Sequence, residues 1–82
     1  MKFFVYVLLS KTNSKKITYV GWTNNLKRRL SHHNSGKGAK FTRGRKWRII
    51  YKETYNNKRK AMSREHEIKK NTNFRNLLRE KN

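Results

Sequence analysis

Phe3 to Leu9 is an unbroken run of seven apolar residues, FFVYVLL, in a chain whose hydrophobic fraction is only 33%. The run falls far short of the roughly 20 residues that cross a bilayer. It is also too continuous for a strand with one wet face, which would alternate apolar and polar residues. It reads as a buried central strand, and it commits the rest of an 82-residue chain to covering it. The lysine ahead of it gives the opening the look of a secretory leader, but the run is short and no small-residue cleavage site follows.

Ile17 to Trp22 is a second β-like segment, joined to the first by the polar turn KTNSKK. Two strands this close form an antiparallel hairpin. A helix from about Asn25 to Asn34 follows, with Thr23 or Asn24 as its cap, since either side chain accepts a bond from a free first-turn amide. SGKGAKFTRGRK, with three glycines and five cations, is a loop. Trp47 to Tyr51 is a third strand, with Tyr55 as its outer limit. From about Asn57 to Asn71 a helical period returns with Ala61, Met62 and Ile68 on one side, and Phe74, Leu77 and Leu78 mark a short last helix. The order ββαβαα has no internal repeat and no dividing linker. It predicts a single α+β domain over 1–82, a three-stranded antiparallel sheet flanked by helices.

Twenty-three Lys and Arg against four acids give a formal net charge of +19. Such an excess makes a polyanion the expected partner. Membrane lipid does not fit that role, because no basic amphipathic helix carries an exposed Trp, Phe and Leu face. Cysteine is absent, which removes disulfides, thiolate metal sites and a thiol nucleophile. Without a leader or a membrane span, the expected location is the cytoplasm, on the nucleoid in a bacterial cell. Charge is concentrated from Lys27 to Arg48, which holds nine cations and no acid. Within it Lys37, Lys40, Arg43, Arg45 and Lys46 suit backbone phosphates, giving affinity without sequence information. Phe41 or Trp47 is placed to stack on an unpaired base, although Trp47 is better suited to packing at the start of its strand. Gly36, Gly38 and Gly44 suggest a loop that orders on binding.

The groups able to do chemistry are few. Helical spacing puts Leu26, Arg29, Leu30 and His33 on one side of the first helix, so Arg29 and His33 sit on adjacent turns beside an apolar seam. Tyr19-Val20-Gly21 ends at the entrance to that helix. Tyr6 and Tyr19 are either strand tyrosines with their hydroxyls at the sheet edge or general bases, and a base at neutral pH needs adjacent positive charge. Arg29 is either a core-edge stem with a solvated head or an electrophile for a phosphate. His33 is either a satisfied surface histidine or a group that positions phosphate or protonates a leaving oxygen, while His32 and His66 read as solvated. The acids are all glutamates, Glu53, Glu65, Glu67 and Glu80. Glu65 lies between Ala61 and Ile68 on the inner side of its helix, where a carboxylate is costly unless paired to Arg29 or Lys69 or bound to a cation. Glu67 is turned away and suits a surface pair. One metal held by one glutamate is what this inventory permits.

Taken in order, these segments resemble the GIY-YIG nucleases. Tyr19-Val20-Gly21, Thr23, Leu26, Arg29 and His33 look like the family's second motif and following helix. Phe4-Val5-Tyr6 resembles the first motif, with Phe4 replacing its glycine and the tyrosine kept. Ala61, Glu65 and Lys69 look like the helix that carries the metal-binding glutamate. The likeness spans roughly Phe3 to Lys70 and is closest to small single-domain members, and HNSGKGAKFTRGRKW resembles the branched-DNA nucleases of the family. The resemblance implies hydrolysis of a DNA phosphodiester, with RNA an open alternative. It implies one Mg2+ or Mn2+ held by Glu65, water activated by Tyr19 or Tyr6, and charge stabilised by Arg29 with His33 assisting. Branched or single-stranded DNA is the expected substrate structure, with a protein partner for target selection as a further possibility. Asn71, Asn73 and Asn76 are all candidates for the family's later polar partner. The alternative reading is a non-catalytic basic nucleic-acid-binding protein on the same scaffold, for which charge alone suffices.

The charge generates the first prediction. If roughly six phosphates are contacted, log affinity for DNA falls against log salt with a slope near about −5. Reversing the charge of Lys40, Arg43 and Arg45 flattens that slope equally for every sequence tested. Affinity that ignores salt would contradict the electrostatic footprint.

Overall fold

The computed structural model of residues 1–82 has the expected order: β1 (Phe3–Lys11), β2 (Lys16–Thr23), α1 (Leu26–Asn34), β3 (Arg48–Tyr55), α2 (Lys58–Lys70) and α3 (Thr72–Lys81). The sheet order is β2-β1-β3, so the apolar run takes the centre. Both pairings are antiparallel, Tyr6 facing Gly21 across β2 and Lys52 across β3. A register shift between Val7 and Leu8, which pair with Tyr51 and Ile49, leaves Ile50 as an extra residue in β3.

Alternation along β1 divides the core into two layers. Val5 and Val7 join Val20, Ala61 and Ile68 beneath α2 and α3, with Trp22, Tyr51, Phe74 and Leu78 packed around them. Tyr6 and Leu8 join Trp47 on the other face, under Leu26 and Leu30 of α1. Each fully buried aliphatic side chain contributes roughly 1.5–3 kcal/mol by leaving water. Met62, expected beside Ala61 and Ile68, is 46% exposed, because it lies one residue round the helix from the row those two share. Leu77 is likewise outside the core, and α3 runs longer than its three apolar markers suggested.

All three helices begin on asparagine. Asn25, Asn57 and Asn71 each accept the backbone N–H three residues on, and none of these helices has an acid in its first turn. The cap of α1 is therefore Asn25 rather than Thr23 or Asn24. The Thr23 hydroxyl instead accepts the Asn25 N–H at 3.1 Å, bracing the turn ahead of the helix. No helix is long and apolar enough to cross a membrane.

The segment after α1 is not wholly irregular. It contains one 3-10 turn, Lys40–Thr42. The Trp47 indole N–H donates to the Thr42 carbonyl at 2.9 Å, and the Asn34 side chain bonds both the N–H and the carbonyl of Trp47. These bonds tie the loop to α1 and to the start of β3, and Trp47 is buried as a core residue.

Glu53 on β3 locks α2 to the sheet. Its carboxylate accepts from the hydroxyls of Tyr51 and Tyr55 and from Arg64, whose Nε lies 2.9 Å away. Burial raises the pKa of this carboxyl, but Arg64, Tyr51 and Tyr55 outweigh it and bring it down to about 2. A carboxylate pKa held below its unfolded value stabilises the fold fully above that value, and the contribution is lost as pH falls toward the folded one. Wild-type thermal stability should therefore drop between about pH 5 and pH 2. Glu53→Gln should cost roughly 2 kcal/mol at neutral pH and flatten the acid limb, both read from melting curves across that range.

Candidate active site

Tyr6, Tyr19, Gly21, Trp22, Arg29 and Glu65 line one cleft of ≈ 270 Å3. Four of the five expected site residues thus converge, from β1, β2, α1 and α2. Tyr6 and Tyr19 belong to the layer under α1, whereas Trp22 packs in the α2 layer with Ala61 and Ile68. The cleft therefore opens round β2, an edge strand of the sheet.

Gly21 is the reason Tyr6 fits. The two residues face each other across the β1–β2 ladder, and a Cβ on Gly21 would stand 2.6 Å from the Tyr6 Cζ. The tyrosine ring lies over bare backbone, which accounts physically for a glycine two residues after Tyr19.

His33 is the fifth expected residue, and it lies behind Tyr6 rather than on the surface. It is fully buried. The Tyr6 hydroxyl and His33 Nε2 are 2.9 Å apart, and His33 Nδ1 is 2.9 Å from the Thr42 hydroxyl oxygen. Thr42 spends its single proton on the Ala39 carbonyl at 2.8 Å, so toward His33 its oxygen can only accept. This assigns the proton to His33 Nδ1, leaves Nε2 with its lone pair, and makes Tyr6 the donor to it. Gly38 crosses directly over this imidazole, since a Cβ there would come within 3.0 Å of the His33 Cα and nearer still to Nδ1. Thr42 and Gly38 are thus neighbours of His33 that the sequence did not single out. Nothing marked Thr42, and Gly38 drew notice only as a flexible loop residue.

Protonation follows from the packing. Burial pushes the Tyr6 phenol up to about 12, over the opposing pull of Arg29, with Tyr19 and Glu65 adding to the rise. The expected lowering of a tyrosine by adjacent cations is therefore not achieved at Tyr6, where desolvation wins. His33 is lowered by burial first, then by the charges of Arg29 and His32. At neutral pH the pair is phenol and neutral imidazole.

Arg29 is half-buried, and its Nε is a buried donor with no partner. The only other such atom, Arg75 Nε, is on α3 away from the cleft. Glu65 is on the inner side of α2 with 18% of its side chain exposed, and its one ion pair is Lys69 at 3.5 Å. Glu67 pairs with Arg64 on the surface at 3.6 Å. No group of three His, Asp or Glu side chains gathers anywhere in the fold. A single inward carboxylate whose one partner is an ammonium 3.5 Å away does suit Mg2+, which keeps several waters and is held by only one or two carboxylates beside a substrate phosphate.

Of the loop cations, Arg45 is linked to Tyr19 through Phe41. Phe41 stacks on Tyr19 with ring centroids 6.3 Å apart, and Arg45 sits 6.0 Å over the Phe41 ring. Lys37, Lys40, Arg43 and Lys46 are exposed, and none pairs with an acid. Of the two aromatics proposed to stack on a base, only Phe41 is open, at 55%.

Sheet, helices and cleft together define a nuclease domain of the GIY-YIG class, and the family model described as the GIY-YIG catalytic domain matches residues 2–79. The chain belongs to that family, whose substrates are nucleic acids and whose members generally depend on a divalent metal. Within it, the similarity is to the UPF0213 proteins. One from Clostridium perfringens is 51% identical over 70 residues, covering 84% of this chain and 72% of that protein. Another, from Staphylococcus haemolyticus, is 44% identical over 69 residues, covering 83% and 80%. The solution NMR structure of a UPF0213 protein from Bacillus halodurans aligns with a TM-score of 0.51 at 34% identity, covering 95% of this chain and 83% of that one.

The Gly21 contact is directly testable. Gly21→Ala should cost about 1–3 kcal/mol in melting experiments, because Tyr6 is buried and has no room to move. The 15N shifts of His33 should also lose the signature of a bond accepted at Nε2. Gly36→Ala meets no atom and should cost only about 1 kcal/mol, through its φ of 82°, with the His33 signals unchanged.

Proposed function

We propose that this chain is a metal-dependent DNA endonuclease, with Tyr6, Tyr19, Arg29 and Glu65 in the cleft as its working groups and His33 behind them. The observation that carries the reading is the buried, unpartnered Nε of Arg29 in a cleft that also holds two phenols and a half-buried carboxylate. A buried donor without a partner is costly, and a phosphodiester oxygen is an acceptor of the right charge to satisfy it.

With the scissile phosphate on Arg29, the Tyr6 oxygen is placed beside the attacking water. Of the two tyrosines, Tyr6 is the one connected to a base. As water gives its proton to the Tyr6 oxygen, the phenolic proton moves to the Nε2 lone pair of His33, and no free phenolate forms. A phenol with a pKa of about 12 suits this relay better than it suits direct ionisation. Tyr19 orients the water or the phosphate from the other wall, and Arg29 stabilises the charge that builds on the phosphate. Glu65 would hold the divalent cation, which when bound would supply positive charge to offset that of the phosphate. Lys37, Lys40, Arg43, Arg45 and Lys46 hold the flanking backbone, and branched or single-stranded DNA is the substrate structure we favour.

The deciding experiment incubates the protein with duplex, single-stranded, flap and four-way-junction DNA in Mg2+, Mn2+ or chelator. Cleavage is expected with metal and absent with chelator. Arg29→Ala should slow cleavage by roughly 100- to 1000-fold while binding barely changes, since one cation among 23 adds little to bulk attraction. Glu65→Gln should remove metal-dependent cleavage and the metal-induced rise in melting temperature, whereas Glu67→Gln should match wild type in both. If the folded wild type cleaves none of the four forms with either metal, the nuclease reading fails and the nucleic-acid-binding scaffold replaces it.

A further inference from the structure

A second, larger concavity of ≈ 1050 Å3 adjoins the cleft. Trp22 and Glu65 line both, so the two adjoin at the end of β2. Its floor is aromatic: the rings of Phe3 and Trp22 lie 6.4 Å apart at 56°, and exposed Met62 widens the apolar surface. Its rim is cationic. Lys58 Nζ sits 5.4 Å over the Trp22 ring, Arg59 lies next to it in the lining, and neither pairs with an acid.

An apolar π surface edged by free cations is the arrangement that receives a nucleotide, with the base on the ring and the phosphate on the cation. A flexible lysine stem lets the Lys58 ammonium leave the Trp22 face for the rim when a base takes its place. We propose that this groove binds an unpaired nucleotide of a single DNA strand next to the bond being cleaved, with its base stacked on Trp22 and its phosphate held by Lys58 and Arg59. The proposal rests on the nuclease reading of the adjoining cleft and names the form of DNA that the cleft accepts. A base in a duplex must first leave its stack and its partner to reach Trp22, a cost that an unpaired strand does not bear. Exposed Phe41 against Tyr19, on the opposite face of β2, offers the same strand a second aromatic surface beyond the cleft.

The test uses the intact chain in chelator, so that binding is read without cleavage. Its probe is a single-stranded oligonucleotide carrying 2-aminopurine, with a duplex of the same sequence as comparison. Binding of the single strand should quench both the 2-aminopurine and the tryptophan emission, since Trp22 is the tryptophan within reach and Trp47 is buried. Trp22→Ala should weaken single-strand binding about tenfold and duplex binding by less than about twofold, whereas Trp22→Phe should retain both. Because Trp22 also packs on the core, Met62→Glu at the exposed floor serves as a second variant and should show the same single-strand loss in a fully folded protein. Equal losses for the two DNA forms, no loss in either variant, or unquenched emission would each overturn the groove assignment. Cleavage by wild type without quenching sinks the groove and spares the nuclease. Quenching and single-strand preference without cleavage in metal do the reverse.

Discussion

β1 has no exposed face, and most of the architecture is a response to that. A strand buried on both sides needs two layers of cover, and this chain has a hydrophobic fraction of only 33% with which to provide them. The solution is asymmetric. Two helices cover one face, while α1 and the tethered loop after it cover the other. The loop's role as cover explains why a segment so rich in glycine and cations is pinned by the buried Trp47. The same loop carries Thr42 to His33, so closing the second layer and setting the histidine tautomer are one event.

The candidate site draws on this arrangement in a specific way. Tyr6 sits at the centre of the sheet, where desolvation keeps its phenol protonated, and only the missing side chain at Gly21 leaves room for its ring. Arg29 and Glu65 come from helices on opposite faces and meet at the β2 edge, a border that both layers reach. An edge strand is usually a liability because its backbone is open to pairing with another chain. Here that border is flanked by helices whose charged groups converge on it.

Much of this was legible in the sequence, because strong periodicity survives folding. The central run, the hairpin, the Arg29–His33 side of α1 and the inward turn of Glu65 all follow from spacing alone. What spacing does not convey is depth. His33 read equally well as a surface group, since burial depends on a loop bond from Thr42 that no local pattern encodes. The glycines were legible as glycines but not as close approaches: Gly38 and Gly21 are there for the imidazole and phenol they touch, not for flexibility. Glu53 passed without notice because its partners, Tyr51, Tyr55 and Arg64, meet it only through strand alternation and helix docking. The fate of Tyr6 turned on magnitude: adjacent cations lower a phenol's pKa and burial raises it, and composition does not say which is larger.

The asparagine caps bear on how such a protein ages. Asparagine satisfies the free amide at a helix start as aspartate does, but without adding negative charge to a chain whose partner is a polyanion. Direct hydrolysis of the side-chain amide, the route left where the backbone is held too firmly to close a succinimide ring, converts asparagine to aspartate one residue at a time. At Asn25, Asn57 or Asn71 the product would interact better with the helix dipole, by about 0.3–1 kcal/mol, in helices that otherwise have no acid in the first turn. The same change weakens attraction for phosphate, and at Asn57 it sets an anion in the lining of the Trp22 groove. Chemical wear at these positions would therefore leave a population that melts higher while holding nucleic acid less tightly, opposing trends that a melting temperature alone would misreport as improvement.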